Sequence, residues 1–253
     1  MNNEPLAPWH RFGYVIPHRH TDMDGYLFAR VAPEGMMMVS TQLDLREYSL
    51  AAVEEQLPTL REAVEILARR SVHSLSVSGV PLAASLGIER TRALLDDLSE
   101  IAGMPCSTDL ENHIRALHAL GARRIVLGTR WPEALTAAIV DYLAVEGITV
   151  VAQRFAGRDL QRNKSADPLA DHRLAIEMGR ELIAEAPDAD AILLPGGLWF
   201  AIHAARQLEQ ETGVPVLTNI TSTVWSSLRF AETETVVPLD ATWTRLFAVP
   251  TAN

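Results

Sequence analysis

The chain of 253 residues holds a single cysteine, Cys106. No internal disulfide can form, which suits a reducing compartment, and a cytoplasmic location is expected. No apolar run approaches the length of a membrane span, so no membrane association is expected. The first residues, MNNEPLAPWHR, have neither a basic start nor an apolar core, and no secretory signal is expected there. Dense basic runs are missing too, and the formal net charge is −10. That balance argues against nucleic acid as a partner, while a local pocket can still be positive for an acidic substrate. One further absence is local. LLPGGLWF (193–200) reads as a buried strand running into two glycines, the place where α/β proteins bind an anion or present a nucleophile. Yet it holds no Ser, Cys, Thr or acid.

What is present is a regular alternation. The apolar fraction of 48% is enough for a sizeable core. Short apolar runs predict strands over 11–17, 36–42, 73–78 and 104–107, then over 124–128, 148–152, 191–194 and 215–218. Between them, apolar positions at helical spacing predict helices over 49–70 (despite Pro58), 90–103, 109–121, 132–146 and 168–186, another from the two glycines to about 212, and a last one over 222–231. Residues 17–25 and 156–167 read as polar loops. Strands separated by helices imply parallel sheets with right-handed crossovers. Two segments, IAGMPCSTDLENHIRAL and ETGVPVLTNITSTVWSSL, echo each other. The fold expected is therefore α/β, with two similar Rossmann-like (flavodoxin-like) lobes facing a central cleft as a pseudo-twofold duplication. The expected division places 1–121 plus 220–253 in the first lobe and 122–219 in the second.

AGMPCSTDLENHIRALHALGARRIVLGT resembles the central segment of arylmalonate decarboxylases and maleate cis–trans isomerases, within the aspartate/glutamate racemase superfamily. DAILLPGGLWFAIHAARQLEQETGVPVLTNITSTVWSSLR resembles their C-terminal segment, and RFGYVIPHRHTDMD sits where they have the first strand and substrate loop. The resemblance spans roughly residues 11 to 231. It implies two loops, one per lobe, that face each other across the substrate and usually carry a cysteine each, suited to proton delivery to an enediolate carbon or to attack on an activated double bond. Here the first loop, VSGVPLAAS, puts Gly79 at or beside that position, as in the decarboxylases, and the second puts Gly196 there, followed by Gly197. Val80 and Pro81 stand where the decarboxylases have a hydroxyl pair. Cys106 lies in MPCST and is expected to be a small buried residue.

With no thiol on either loop, the expected acid–base residues are His18 and His20 of PHRHTDMDG, after the first strand. In an extended loop both point the same way. They could act as acid and base, hold a carboxylate, or, joined by Asp22 and Asp24, bind a metal. No metal or other cofactor is expected to be required; His18 and His20 are the ligands named if a metal binds. The resemblance also implies substrate contacts from Tyr48, from Trp131 in place of a pocket tyrosine, and from Asn163. Thr108 and Asn219 begin the two echoed helices, where backbone N–H groups offer a carboxylate site. His73, early in an apolar strand, is expected to be a hydrogen-bonded core residue; His113 and His203 are expected to be surface or packing residues.

The expected function is that of an enzyme acting on a small carboxylate through an enolate-type intermediate without cysteine, as a decarboxylase or isomerase, with the first-loop histidines as acid and base. Two alternatives share the fold: a metal-assisted hydrolase or lyase, and a carboxylate-binding protein without chemistry. The expected partner is the small carboxylate substrate, and a homo-oligomer is compatible with the sequence.

Overall fold

The computed structural model describes residues 8–19, 23–230 and 239–251. The alternation builds two four-stranded parallel sheets. The first holds β1 (His10–Ile16), β2 (Met36–Gln42), β3 (Ser74–Val77) and β4 (Cys106–Thr108), in the order β2-β1-β3-β4. The second holds β5 (Arg124–Thr129), β6 (Thr149–Phe155), β7 (Ala191–Leu194) and β8 (Val216–Thr218), in the order β6-β5-β7-β8. The two orders are one pattern used twice, so the sequence echo is a repeat of topology. Ten helices connect the described strands: α1 (Met23–Val31), α2 (Leu50–Arg69), α3 (Val80–Leu86), α4 (Ile88–Ala102), α5 (Asp109–Ala119), α6 (Glu133–Val145), α7 (Leu160–Lys164), α8 (Pro168–Glu185), α9 (Ile202–Thr212) and α10 (Asn219–Ser227).

Strand periodicity distributes the side chains over three cores. Phe12, Tyr14 and Ile16 of β1 face a central core, and Val15 faces an outer one with Leu75 and Val77 of β3. In β5, Ile125 and Leu127 face the same central core while Val126 faces a second outer one with Ile192 and Leu194. The central core is therefore shared by the lobes. It is sealed by the two echoed helices: Asn112 Nδ2 of α5 donates to Thr223 Oγ1 of α10 at 3.3 Å, and the His113 ring meets Ser222 Oγ at 2.9 Å. Residues 244–249, after α10, reach α9 and α10. Trp225 Nε1 donates to the Val249 carbonyl at 3.0 Å, and Thr244 Oγ1 and the Arg245 N–H both donate to the buried Glu209 of α9.

All eight strands lie where the apolar runs predict them. Three helices do not. α1 begins within the expected 17–25 loop and runs on to Val31, α7 forms inside the expected 156–167 loop, and α3 follows Gly79 directly. The helix expected from the two glycines of LLPGGLWF begins only at Ile202. The intervening loop turns inward to bury Trp199, whose Nε1 donates to the Asp171 carbonyl at 3.0 Å. His73 is exposed rather than in the core, although its Nδ1 accepts from the Arg11 N–H at 3.1 Å.

Candidate functional site

The carboxyl ends of the central strands of both sheets converge, as open α/β sheets dictate for ligand sites. Pro17 and His18 follow β1, and Ser78 to Pro81 follow β3. Arg130 and Trp131 follow β5, and Gly196 to Leu198 follow β7. Together with Asp24 of α1 and Tyr48 they line one cavity. Gly79 and Gly196 thus face the same space from opposite lobes.

Both glycines have backbones that side-chain-bearing residues rarely adopt, with φ of +104° at Gly79 and +137° at Gly196. At Gly79 a Cβ would also stand 3.1 Å from Pro17 Cγ. These loops are shaped for glycine. No cysteine lines the cavity. Cys106 lies in β4, where burial pushes its thiol up to about 11.

His18 is 7% exposed, and its Nδ1 is buried without a hydrogen-bond partner. Burial first, and the nearby Lys164 charge second, lower its pKa to about 4; a hydrogen bond to the Leu45 main chain pulls the other way. The ring is therefore neutral at pH 7. His20 lies outside the described residues, as does Asp22. Tyr48 accepts a hydrogen bond from Asn163 Nδ2 at 3.1 Å and meets Trp131 edge-on, with ring centroids 6.4 Å apart. Asn163 is buried behind Tyr48 rather than on the cavity wall.

The other candidates fall elsewhere. Thr108 caps α5, its hydroxyl accepting from the Glu111 N–H at 3.2 Å, and does not line the cavity. Asn219 sits just behind the wall. Its Nδ2 donates to Asp109 Oδ2 at 2.7 Å and lies 3.6 Å from where a Cβ on Gly197 would be. His113 is fully buried at the seam between the lobes, and His203 is exposed against Trp243. Among the described residues no three His, Cys, Asp or Glu side chains gather as a metal site, and no helix is long and apolar enough to cross a membrane.

Sequence reasoning missed the strongest charge in the site. Arg130 is 3% exposed and lines the cavity. Its Nη1 donates to Asp171 Oδ2 of α8 at 2.6 Å, its Nη2 to the Leu198 carbonyl, and its guanidinium lies over the Trp199 ring at 5.4 Å. Arg158 holds the other oxygen of Asp171 at 2.7 Å. Two guanidinium groups thus share one carboxylate, and the cluster keeps a net positive charge beside the cavity. The available signal was a basic residue at the end of β5, next to the Trp131 already singled out. Asp109 was missed as well. It is fully buried behind Ser78 and Gly79, and it accepts the Gly79 N–H at 2.7 Å.

Comparisons with known proteins agree with this architecture. The chain is 24% identical over 203 residues to the arylmalonate decarboxylase of Bordetella bronchiseptica, covering 80% of this chain and 83% of that one. It is 26% identical over 247 residues to a maleate isomerase of Pseudomonas putida, covering 92% and 96%. Among solved structures, a liganded double mutant of arylmalonate decarboxylase superposes with a TM-score of 0.83 at 23% identity, over 94% of this chain and 98% of that one. The family model described as arylmalonate decarboxylase matches residues 28–244, and the chain belongs to that family.

Proposed function

We propose that this protein is an enzyme that decarboxylates a small substituted malonate through an enolate-type intermediate, without a cysteine and without a cofactor. The observation that carries this reading is the content of the cavity: a buried guanidinium, several hydrogen-bond donors and no thiol. Arg130 supplies the field that draws in a carboxylate. Loss of carbon dioxide moves the bonding electron pair onto the remaining carboxylate as an enediolate. What that step needs is donors fixed where charge develops and a site from which water is excluded. Tyr48 and Trp131 carry such donors. Isomerisation by thiol addition to a double bond needs a nucleophile that this cavity does not hold.

His18 supplies an open imidazole nitrogen. Because the ring is neutral, Nδ1 accepts a hydrogen bond from the protonated carboxyl of a malonate bound as its monoanion and so orients it. His20 is assigned to the same loop function. The test is to incubate the purified protein with a panel of 2-aryl- and 2-alkylmalonates and, separately, with maleate. Carbon dioxide release from a malonate is expected. Conversion of maleate to fumarate with no malonate turnover would replace the reading with isomerisation. Saturable malonate binding with no release at all would make the protein a binder.

A further inference from the structure

We propose that Ser78 delivers the proton that ends the reaction, and that Asp109 beneath it stores and resupplies that proton. The inference rests on the enolate reading above. Ser78 lines the cavity at the foot of the first glycine loop. It also lies 3.5 Å from where a Cβ on Gly197 would be, so it stands in the gap between the two loops. Behind it, Ser78 Oγ and Asp109 Oδ2 are 2.9 Å apart, and the Tyr14 hydroxyl lies 2.9 Å from Ser78 Oγ and 3.2 Å from Asp109 Oδ1. These groups form a continuous hydrogen-bonded chain from the cavity into the protein.

The surroundings of Asp109 suit a group that cycles between acid and anion. It is fully buried, and none of its hydrogen-bond partners carries a positive charge: they are Tyr14, Ser78, the Gly79 N–H, Asn219 and Thr223. Burial raises its pKa, against the lowering effect of its hydrogen bonds. Once a proton leaves, the anion meets donors already in place, the Gly79 N–H and Asn219 Nδ2 at 2.7 Å each and Thr223 Oγ1 at 3.0 Å. Such preorganised donors lower the cost of forming the charge.

The step balances. The enediolate carbon takes the Ser78 hydroxyl proton, so a C–H bond forms and the O–H bond breaks. The Asp109 carboxyl proton moves to Ser78 Oγ and leaves the electron pair on Asp109. Solvent entering after product release returns the proton. His18 is a poor candidate for this role because its ring is neutral and its open Nδ1 bears a lone pair. Tyr48, the other hydroxyl on the wall, accepts from an amide.

The experiment uses a 2-methyl-2-arylmalonate, whose product is chiral, and reads carbon dioxide release and enantiomer ratio separately. Wild type is expected to give mainly one enantiomer. Ser78→Ala and Asp109→Asn are expected to keep releasing carbon dioxide while stereoselective product formation falls on the order of 10²-fold, the scale of a lost general acid, and the product approaches a racemate as solvent protonates both faces. Ser78→Cys, which keeps a transferable proton, is expected to restore selectivity. A Ser78→Ala protein as selective as wild type overturns the inference, as does one that loses rate and thermal stability together with selectivity intact. Infrared difference spectra of the unliganded wild type against Asp109→Asn at pH 7 should show a protonated-carboxyl band, and an ionised Asp109 overturns the proton store without touching the parent reading. A wild type that turns over no malonate sinks the parent reading and this step with it.

Discussion

Single positions in this molecule are specified by what surrounds them, and the glycines show it. Gly79 combines a φ of +104° with a Cβ site 3.1 Å from Pro17 Cγ, whereas Gly25 in α1 has nothing within 4 Å of its Cβ site. Gly79→Ala should therefore destabilise the protein by about 1–3 kcal/mol through backbone strain. Gly25→Ala should stabilise it by about 0.5–1 kcal/mol, the usual penalty for glycine within a helix. Denaturant midpoints of the two variants should move in opposite directions, and equal shifts would contradict the backbone assignment. Arg130 is specified by Asp171. Arg130→Met leaves a buried carboxylate with only Arg158, and removing one partner of such a pair costs about 3–5 kcal/mol. Malonate affinity should fall with it, measurable by calorimetry on whatever fraction stays folded. His18 departs from what the sequence suggests, a group titrating in the ordinary histidine range. Burial holds its pKa at about 4, so the accepting form persists across neutral pH and is lost only as the pH falls through about 4. The acidic limb of kcat/KM should lie near there and vanish in His18→Asn. A limb near 6.5 that survives in His18→Asn would assign it to another group.

At the scale of elements, α2 carries a local cost that tertiary packing overrides. Pro58 lies within the helix on its exposed side, while Val53, Leu60, Val64 and Leu67 anchor the buried face. Since interior proline is about 3 kcal/mol worse than alanine in a helix, Pro58→Ala should raise the melting temperature, by an amount that helix bending around the proline reduces. No rise would mean that the proline does local work not visible in its contacts. The same packing logic explains which elements could be read in advance. The strands announce themselves because four to seven apolar residues between turn signals have few other places to go. α2, α4, α5 and α9 show polar and apolar faces at helical spacing. α3 does not: Val80, Pro81, Leu82, Ala83, Ala84 and Leu86 are all buried, so VPLAASL has no polar stripe to reveal its period. α1 is short and follows a charged loop, which masks its start. For the site, the carboxyl ends of β1, β3, β5 and β7 were legible as positions, which is why His18, Gly79, Trp131 and Gly196 meet. The pairings were not, because Arg130 finds Asp171 on α8 and Ser78 finds Asp109 on α5, and nothing in a linear pattern announces partners supplied by another element.

The two lobes join over one shared core, and the seam makes the whole molecule sensitive to acid. His113 is buried between α5 and α10, where desolvation lowers its pKa to about 3. His10, against Ser74 and near His73, is lowered to about 4 by burial and then by that neighbour, and His18 is lowered to about 4 in the cavity. In the unfolded chain each would titrate near 6.5. Between that value and the folded one, the unfolded state binds protons that the native state refuses, so stability falls as the pH falls. The slope approaches about 1.4 kcal/mol per pH unit for each histidine. Asp109 and Glu209 act in the other direction, since burial raises both and protonation is easier for them when folded. Their contribution is recovered as the pH drops through their raised values, which blunts the acid loss. His203 is lowered as well, by burial first, and four rings against two carboxyls leave a net loss between pH 6.5 and about 4. The unfolding free energy should therefore decline from pH 7 to 5, and His113→Gln should show a slope shallower by about one histidine's share, about 1.4 kcal/mol per pH unit, whatever its stability at pH 7. An unchanged slope in that variant would mean that His113 is already protonated when folded, and that the seam between the lobes admits charge which the buried ring and its contact with Ser222 give no room for.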